Sequence, residues 1–76
     1  MTAIETIRYI TAESGITLTE LAEYADVGSK QNLNRLLSQK DLKVSVFVKL
    51  LETLGFQLIA QSTESSQEFV LDCEGV

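Results

Sequence analysis

Between Lys30 and Ser38 the chain carries Gln31, Asn32, Asn34 and Arg35 in a run of nine residues. Carboxamides and guanidinium groups each offer hydrogen-bonding atoms in pairs, so side chains of this kind can grip flat, edge-on ligands bidentately. Adenine presents N7 and N6, which suit Gln31 and Asn34; guanine presents O6 and N7, which suit Arg35. Asn32 suits a base edge or a phosphate. With Leu33 as the inward direction and about 100° per residue, Leu36 and Leu37 fall beside it. Gln31, Arg35 and Ser38 then point outward, with Asn32 and Asn34 on the flanks. An ordinary solvated helix face is built from Glu and Lys; Asn and Ser are poorer helix formers, and their presence gives up local stability.

Other chemistry is sparse. The 76 residues contain no His and one Cys, Cys73, which excludes an internal disulfide and argues against a zinc site. Cys73 reads as a half-buried structural residue. No carboxylates pair at a spacing that suggests acid-base catalysis, so the sequence predicts neither an enzyme nor a cofactor. No apolar run approaches the roughly 20 residues of a membrane span, and MTAIETIRYI lacks the basic start of a signal peptide, which predicts a cytoplasmic protein without a membrane partner.

The net charge of −5 conceals a partition. Residues 1–27 carry one Arg against five acids, residues 28–51 carry five Lys or Arg against one Asp, and residues 52–76 carry five acids and no base. Fields fall off over about 10 Å at ordinary salt, so a basic middle can act as a local face on an acidic chain.

The elements that must position this face are legible from their caps and periods. Thr2 and Glu5 form a capping-box pattern for a helix over about 2–14, with Ala3, Ile4, Ile7, Ile10 and Thr11 on one side and Gly15 ending it. Thr17 and Glu20 repeat the pattern, with Ile16 and Leu21 as a hydrophobic staple, for a helix over about 17–25 whose Leu18, Leu21, Ala22 and Ala25 point inward. Asp26-Val27-Gly28 breaks it, Val27 plugging the core. Ser29 caps a third helix over about 29–38, and Ser45 a fourth over about 45–54, with Val46, Phe47, Leu50, Leu51 and Leu54 apolar and Gly55 as the stop. Lys40, Lys43 and Lys49 flank the outward face if the fourth helix packs beside the third. Amides around Ser29 and Lys30, with Thr17, are placed to hold phosphates.

The period then changes to 2. Strands are predicted over about 56–61 and 68–73. A hairpin about Ser62 to Gln67 that pairs Gln61 with Glu68 sets Ala60 opposite Phe69, Leu58 opposite Leu71 and Phe56 opposite Cys73, all on one face. The glycine-free, Ser-rich connection predicts a loose loop, and Gly75-Val76 a frayed end. A two-stranded ribbon alone is marginal in water, so this one is expected to pack on the helices or join a second copy, with Phe56, Leu58, Ala60, Phe69 and Leu71 as the dimer element.

The run GITLTELAEYADVGSKQNLNRLLSQKDLKVSVFVKLLETLGFQLIAQ resembles the Cro/C1-type helix-turn-helix domains of bacterial and phage regulators, the xenobiotic-response-element family. The likeness covers about residues 1–61. Its marks are Thr17, Glu20-Leu21-Ala22, Val27, the LNRLL of the third helix, and Val48 to Phe56 entering a strand, an ending similar to that of small phage regulators and HigA- or HipB-like antitoxins. The resemblance implies a mainly α, lambda-repressor-like domain of four to five helices with a C-terminal β-strand or hairpin. It further implies a dimeric repressor of a palindromic operator, with double-stranded DNA and, for an antitoxin, a cognate toxin as partners. The DNA-binding set it implies is Thr17, Ser29, Lys30, Gln31, Asn32, Asn34, Arg35, Ser38, Lys40 and Lys43. A protein-binding module on the same scaffold, an antirepressor or phage inhibitor, is the alternative. The sequence departs from the family in three places. Asp26 stands where a glycine is usual, with Gly28 two residues later and one extra residue in the turn; Leu18 replaces a phosphate-touching Gln; and the tail from Ser62 lies outside the pattern.

Overall fold

The computed structural model describes residues 1–72. It is mainly helical, with four helices and one antiparallel hairpin: α1 (Ala3–Ser14), α2 (Leu18–Tyr24), α3 (Lys30–Leu37), α4 (Val44–Thr53), β1 (Leu58–Gln61) and β2 (Glu68–Leu71). No helix among the described residues is long and apolar enough to cross a membrane.

Three helix starts follow the caps. The Thr2 hydroxyl accepts from the Glu5 amide and the Ser29 hydroxyl from the Asn32 amide. Thr17 forms a full capping box, its hydroxyl accepting from the Glu20 amide at 3.1 Å while the Glu20 carboxylate accepts from the Thr17 amide at 3.1 Å. Each cap satisfies an amide that the first turn leaves without a helical partner.

The fourth start differs from the expectation. Helix α4 begins at Val44, Lys43 occupies the cap position without a side-chain cap bond, and Ser45 lies inside the first turn. Burial decides this. Leu42 and Phe47, at the two positions of a hydrophobic staple, both pack against the core and fix where the chain enters the helix.

The core is one cluster of Ile7, Leu21, Ala22, Ala25, Leu33, Leu37, Leu50 and Leu51, drawn from all four helices and the end of α2. Leu18 and Leu36 are only half-buried, and Val48, which the apolar pattern of α4 does not single out, is fully buried. The lone buried polar side chain of the described residues, Thr11, donates its hydroxyl to the Ile7 carbonyl at 2.6 Å, so its burial leaves no polar group unsatisfied. Helix α2 packs on α3 and α4, and α1 packs on α4.

The hairpin register is Leu58 with Leu71, Ile59 with Val70, Ala60 with Phe69 and Gln61 with Glu68, the pairing expected from alternation. Both strands are shorter than expected. Phe56 does not join β1 because its amide donates to the Leu51 carbonyl at 2.8 Å, closing the end of α4 around Gly55, whose φ of 86° is left-handed. The pairing of Phe56 with Cys73, the burial of Cys73 and the fraying of Gly75-Val76 concern residues outside those described. The connection is braced by its serines. The Ser62 hydroxyl accepts from the amides of Glu64 and Ser65, and the Ser65 hydroxyl from the amide of Gln67, where composition suggested a loose loop.

The end of α2 shows what the substituted turn does. The Val27 amide donates to the Ala22 carbonyl at 3.1 Å and the Asp26 amide to the Glu23 carbonyl at 3.2 Å, the double bond pattern of a Schellman cap. Asp26 occupies its left-handed position at φ 55°, where an L side chain costs about 1–2 kcal/mol and Asp somewhat less. Asp26→Gly is therefore expected to raise the unfolding free energy by about 0.5–1 kcal/mol, and Asp26→Val to lower it by about 1–2 kcal/mol. Midpoints of urea unfolding measure both; identical midpoints for the three proteins would show that position 26 is unstrained.

Candidate nucleic-acid interface

The segment between α2 and α3 decides how α3 is presented, and two side chains hold it. Asn32, half-buried in the first turn of α3, donates its amide nitrogen to the Val27 carbonyl across the turn. Lys49 of α4 donates its ammonium to the Asp26 carbonyl at 3.4 Å. Gly28 completes the turn at φ 94°, a second left-handed residue, and a Cβ there would rest against the Asn32 side chain at 3.5 Å.

Asn32 has a second task on its other side. Its carbonyl oxygen accepts from Arg35 through Nη2 at 2.7 Å and Nε at 3.3 Å. Both functional ends of this amide are thus engaged inside the chain. The guanidinium, exposed one turn along α3, is held by one of its sides, and its remaining donors make no hydrogen bond within the described residues. Asn32 connects the turn geometry to the direction of Arg35.

The rest of the face is graded. Lys30 and Gln31 are exposed, Asn34 is half-buried, and none of the three makes a side-chain hydrogen bond within the described residues. Lys40 and Lys43, in and after the connection to α4, are exposed and likewise without such a bond. Ser38 differs, since its hydroxyl donates to the Asn34 carbonyl at 2.7 Å and closes the end of α3. Ser29 is committed to capping. Thr17 is committed too: its hydroxyl donates to the Glu20 carboxylate at 3.0 Å, which places an acid beside the point where a phosphate would be held. Lys49, grouped with Lys40 and Lys43 by sequence, is half-buried and serves the turn instead.

Two positioning contacts have no signature in the sequence. Arg8 of α1 donates to the Leu37 carbonyl at 3.3 Å, bringing a cation to the C-terminal end of α3, where the aligned peptide dipoles favour it. Lys49 reaches Asp26 across 23 positions. In each case the residue type is ordinary and only packing supplies the partner.

A cleft of about 340 Å³ opens beside the turn, lined by Val27, Ser45, Val46 and Lys49. Its walls offer one hydroxyl and one ammonium and no carboxylate, thiol or imidazole. Among the described residues no group of three or more His, Cys, Asp or Glu is placed to hold a metal ion. Compared with the profiles of known families, with curated proteins and with solved structures, the chain matches none.

Asn32→Ala removes the bond to Val27 and the brace on Arg35 together, and should cost about 1–2 kcal/mol of stability, the usual range for a partly buried hydrogen bond lost with its partner left behind. Asn32→Asp keeps the acceptor for Arg35 but turns an anionic oxygen toward the Val27 carbonyl, and should cost at least as much. Chemical unfolding of the two variants beside Gln31→Ala, expected to be within about 0.5 kcal/mol of the parent as an exposed surface change, is the check.

Proposed function

We propose that this chain is a sequence-specific DNA-binding regulator, a repressor that presents α3 as the reading helix of a helix-turn-helix and acts as a dimer on a palindromic operator. The observation that carries this is the state of α3's outer side: Gln31 and Asn34 keep their carboxamides uncommitted while Arg35 is held in place by Asn32.

In this reading the first turns of α3 enter the major groove. Gln31 and Asn34 read adenine edges and Arg35 a guanine, each good bidentate pair worth about 1–3 kcal/mol of discrimination. Lys30, Lys40 and Lys43 neutralise phosphates and set register without reading sequence. Asn32 contributes by aiming Arg35, Ser29 by capping α3, and Thr17 and Ser38 by closing helix ends. The acids concentrated outside residues 28–51 restrain nonspecific binding. One small domain makes too few contacts to bind tightly, so two copies on half-sites about 34 Å apart, or a multiple of that, are required, joined through the hairpin residues Leu58, Ala60, Phe69 and Leu71, with Phe56 beside them. An antitoxin that represses its own operon and also binds a toxin is one form of this function. The chain needs no cofactor for it and is not an enzyme.

One observation favours the second reading, a protein-binding module such as an antirepressor. The Glu20 carboxylate sits on the Thr17 hydroxyl, and with a net charge of −5 that side of the molecule suits a basic protein partner. Gel shift against the DNA upstream of its own coding sequence, over a salt series, separates the two, and absence of a salt-dependent specific shift sinks the first. Within the first, Arg35→Ala should lose about 1–3 kcal/mol on the cognate site and relax specificity at one base pair, whereas Lys43→Ala should weaken all sequences alike and lower the salt slope by about 1. Equal losses on cognate and random DNA for both variants would refute this division of labour.

A further inference from the structure

The hairpin leaves two unpaired edges, and they are not equivalent. The Ser62 amide donates to the Gln67 carbonyl at 3.0 Å, and antiparallel ladders alternate, so Ala60–Phe69 and Leu58–Leu71 are the hydrogen-bonded pairs. Ile59 and Gln61 on β1, and Glu68 and Val70 on β2, therefore turn their amides and carbonyls outward. Among the described residues each strand's only sheet neighbour is the other.

The β2 edge is acidic at both ends, with Glu68 and Asp72, while residues 56–61 along β1 contain no charge, proline or glycine. An edge without those features is open to strand addition, and natural proteins protect such edges unless they use them. The hairpin is also underburied for its composition. Ile59 is 43% exposed, Val70 56% and Phe69 61%, whereas only Leu58 of β1 packs on the core.

We infer that the β1 edge is the seam between two copies of this chain, which pair β1 with β1 antiparallel about Ile59 to form one four-stranded sheet. This rests on the dimeric reading above and narrows its surface to β1: Leu58 and Ala60 meet across the seam, while Phe69 and Leu71 lie on the outer strands. A two-fold axis normal to the sheet keeps equivalent faces together, and the outward groups of Ile59 and Gln61 then permit few registers. Centring on Ile59 sets Ile59 against Ile59 of the second copy, Leu58 against Ala60, and Gln57 against Gln61. Centring on Ala60 sets Ile59 against Gln61 and Leu58 against Ser62, which opposes apolar to polar side chains on either side of the central Ala60 pair. In the first register one face carries an unbroken row of Val70, Ile59, Ile59 and Val70, bringing together the two β-branched residues that the strands expose. Pairing through β2 about Val70 would instead set Glu68 against Asp72 and repel.

The test is sedimentation velocity of the intact protein without DNA, over a concentration series, with matched edge variants. Proline at position 59 or 70 removes only an outward amide, leaving the hairpin's own bonds in place. Ile59→Pro should raise the dimer dissociation constant at least about tenfold while Val70→Pro changes it by less than about threefold. As a measurement independent of hairpin stability, Ile59→Cys in a Cys73→Ser background should crosslink to a covalent dimer on oxidation, since directly hydrogen-bonded antiparallel partners have Cα atoms about 5.5 Å apart, within disulfide reach. Val70→Cys in the same background should remain uncrosslinked. A monomeric parent protein, or crosslinking at 70 and not 59, overturns the proposal. A monomer that still shifts operator DNA would remove this seam and leave the DNA-reading face standing; a β1-paired dimer that binds no DNA would do the reverse.

Discussion

The bond from the Asn32 amide to the Val27 carbonyl fixes the relation between α2 and α3, and most of what the molecule presents depends on it. Five residues separate the two helices, and two of them, Asp26 and Gly28, are left-handed. A connection bent twice in this way has several accessible courses until something binds its carbonyls. Asn32 takes one from the α3 side, Lys49 takes the next from α4, and Val27 lodges half-buried between them. The turn is thereby specified by three elements at once, and the direction of α3 becomes a property of the core.

That arrangement joins stability to function through one side chain. The oxygen of the Asn32 amide restrains Arg35, so part of the guanidinium's rotamer entropy is already removed in the free protein. Gln31, Lys30 and Lys43 have no such support and retain their freedom. Arg35 is thus the one member of the exposed polar set on α3 whose side chain is tied to a neighbouring side chain. Charge is arranged on the same principle, with five cations in residues 28–51 and acids on either side. One of those cations, Lys49, is diverted to the turn, which makes the exposed basic face smaller than the sequence count implies.

The hairpin stands apart from this economy. Its register is internally consistent, its loop is held by the hydroxyls of Ser62 and Ser65, and Gln61 donates to the Glu68 carboxylate across the strands at 3.1 Å. Yet of its residues only Leu58 packs against the helical core, and Leu71 is half-buried. A two-stranded ribbon gains little from its own hydrogen bonds, because the same groups bond water when it opens. The uncharged β1 edge and the exposed Ile59 and Val70 are left without cover among the described residues.

The sequence by itself determined the elements: helix starts at Thr2, Thr17 and Ser29, stops at Gly15 and Gly55, the inward Ile7, Leu21, Leu33 and Leu50, and the pairing of Gln61 with Glu68. These are legible because a cap or a period involves neighbours three or four residues apart, or two strands joined by one loop. Only the tertiary structure decided the rest. Helix α4 starts at Lys43 and Val44 because Leu42 and Phe47 are anchored by residues far away, against the local preference for Ser45. Phe56 leaves the strand because its amide is claimed by Leu51. Asn32 braces, Lys49 clamps and Arg8 caps because packing brings a carbonyl within reach, and an amide or a cation carries the same chemistry whether its partner is a backbone oxygen or a base. The polar and basic residues of the candidate face were visible in the chain; which of them are spent on internal hydrogen bonds was decided by the fold.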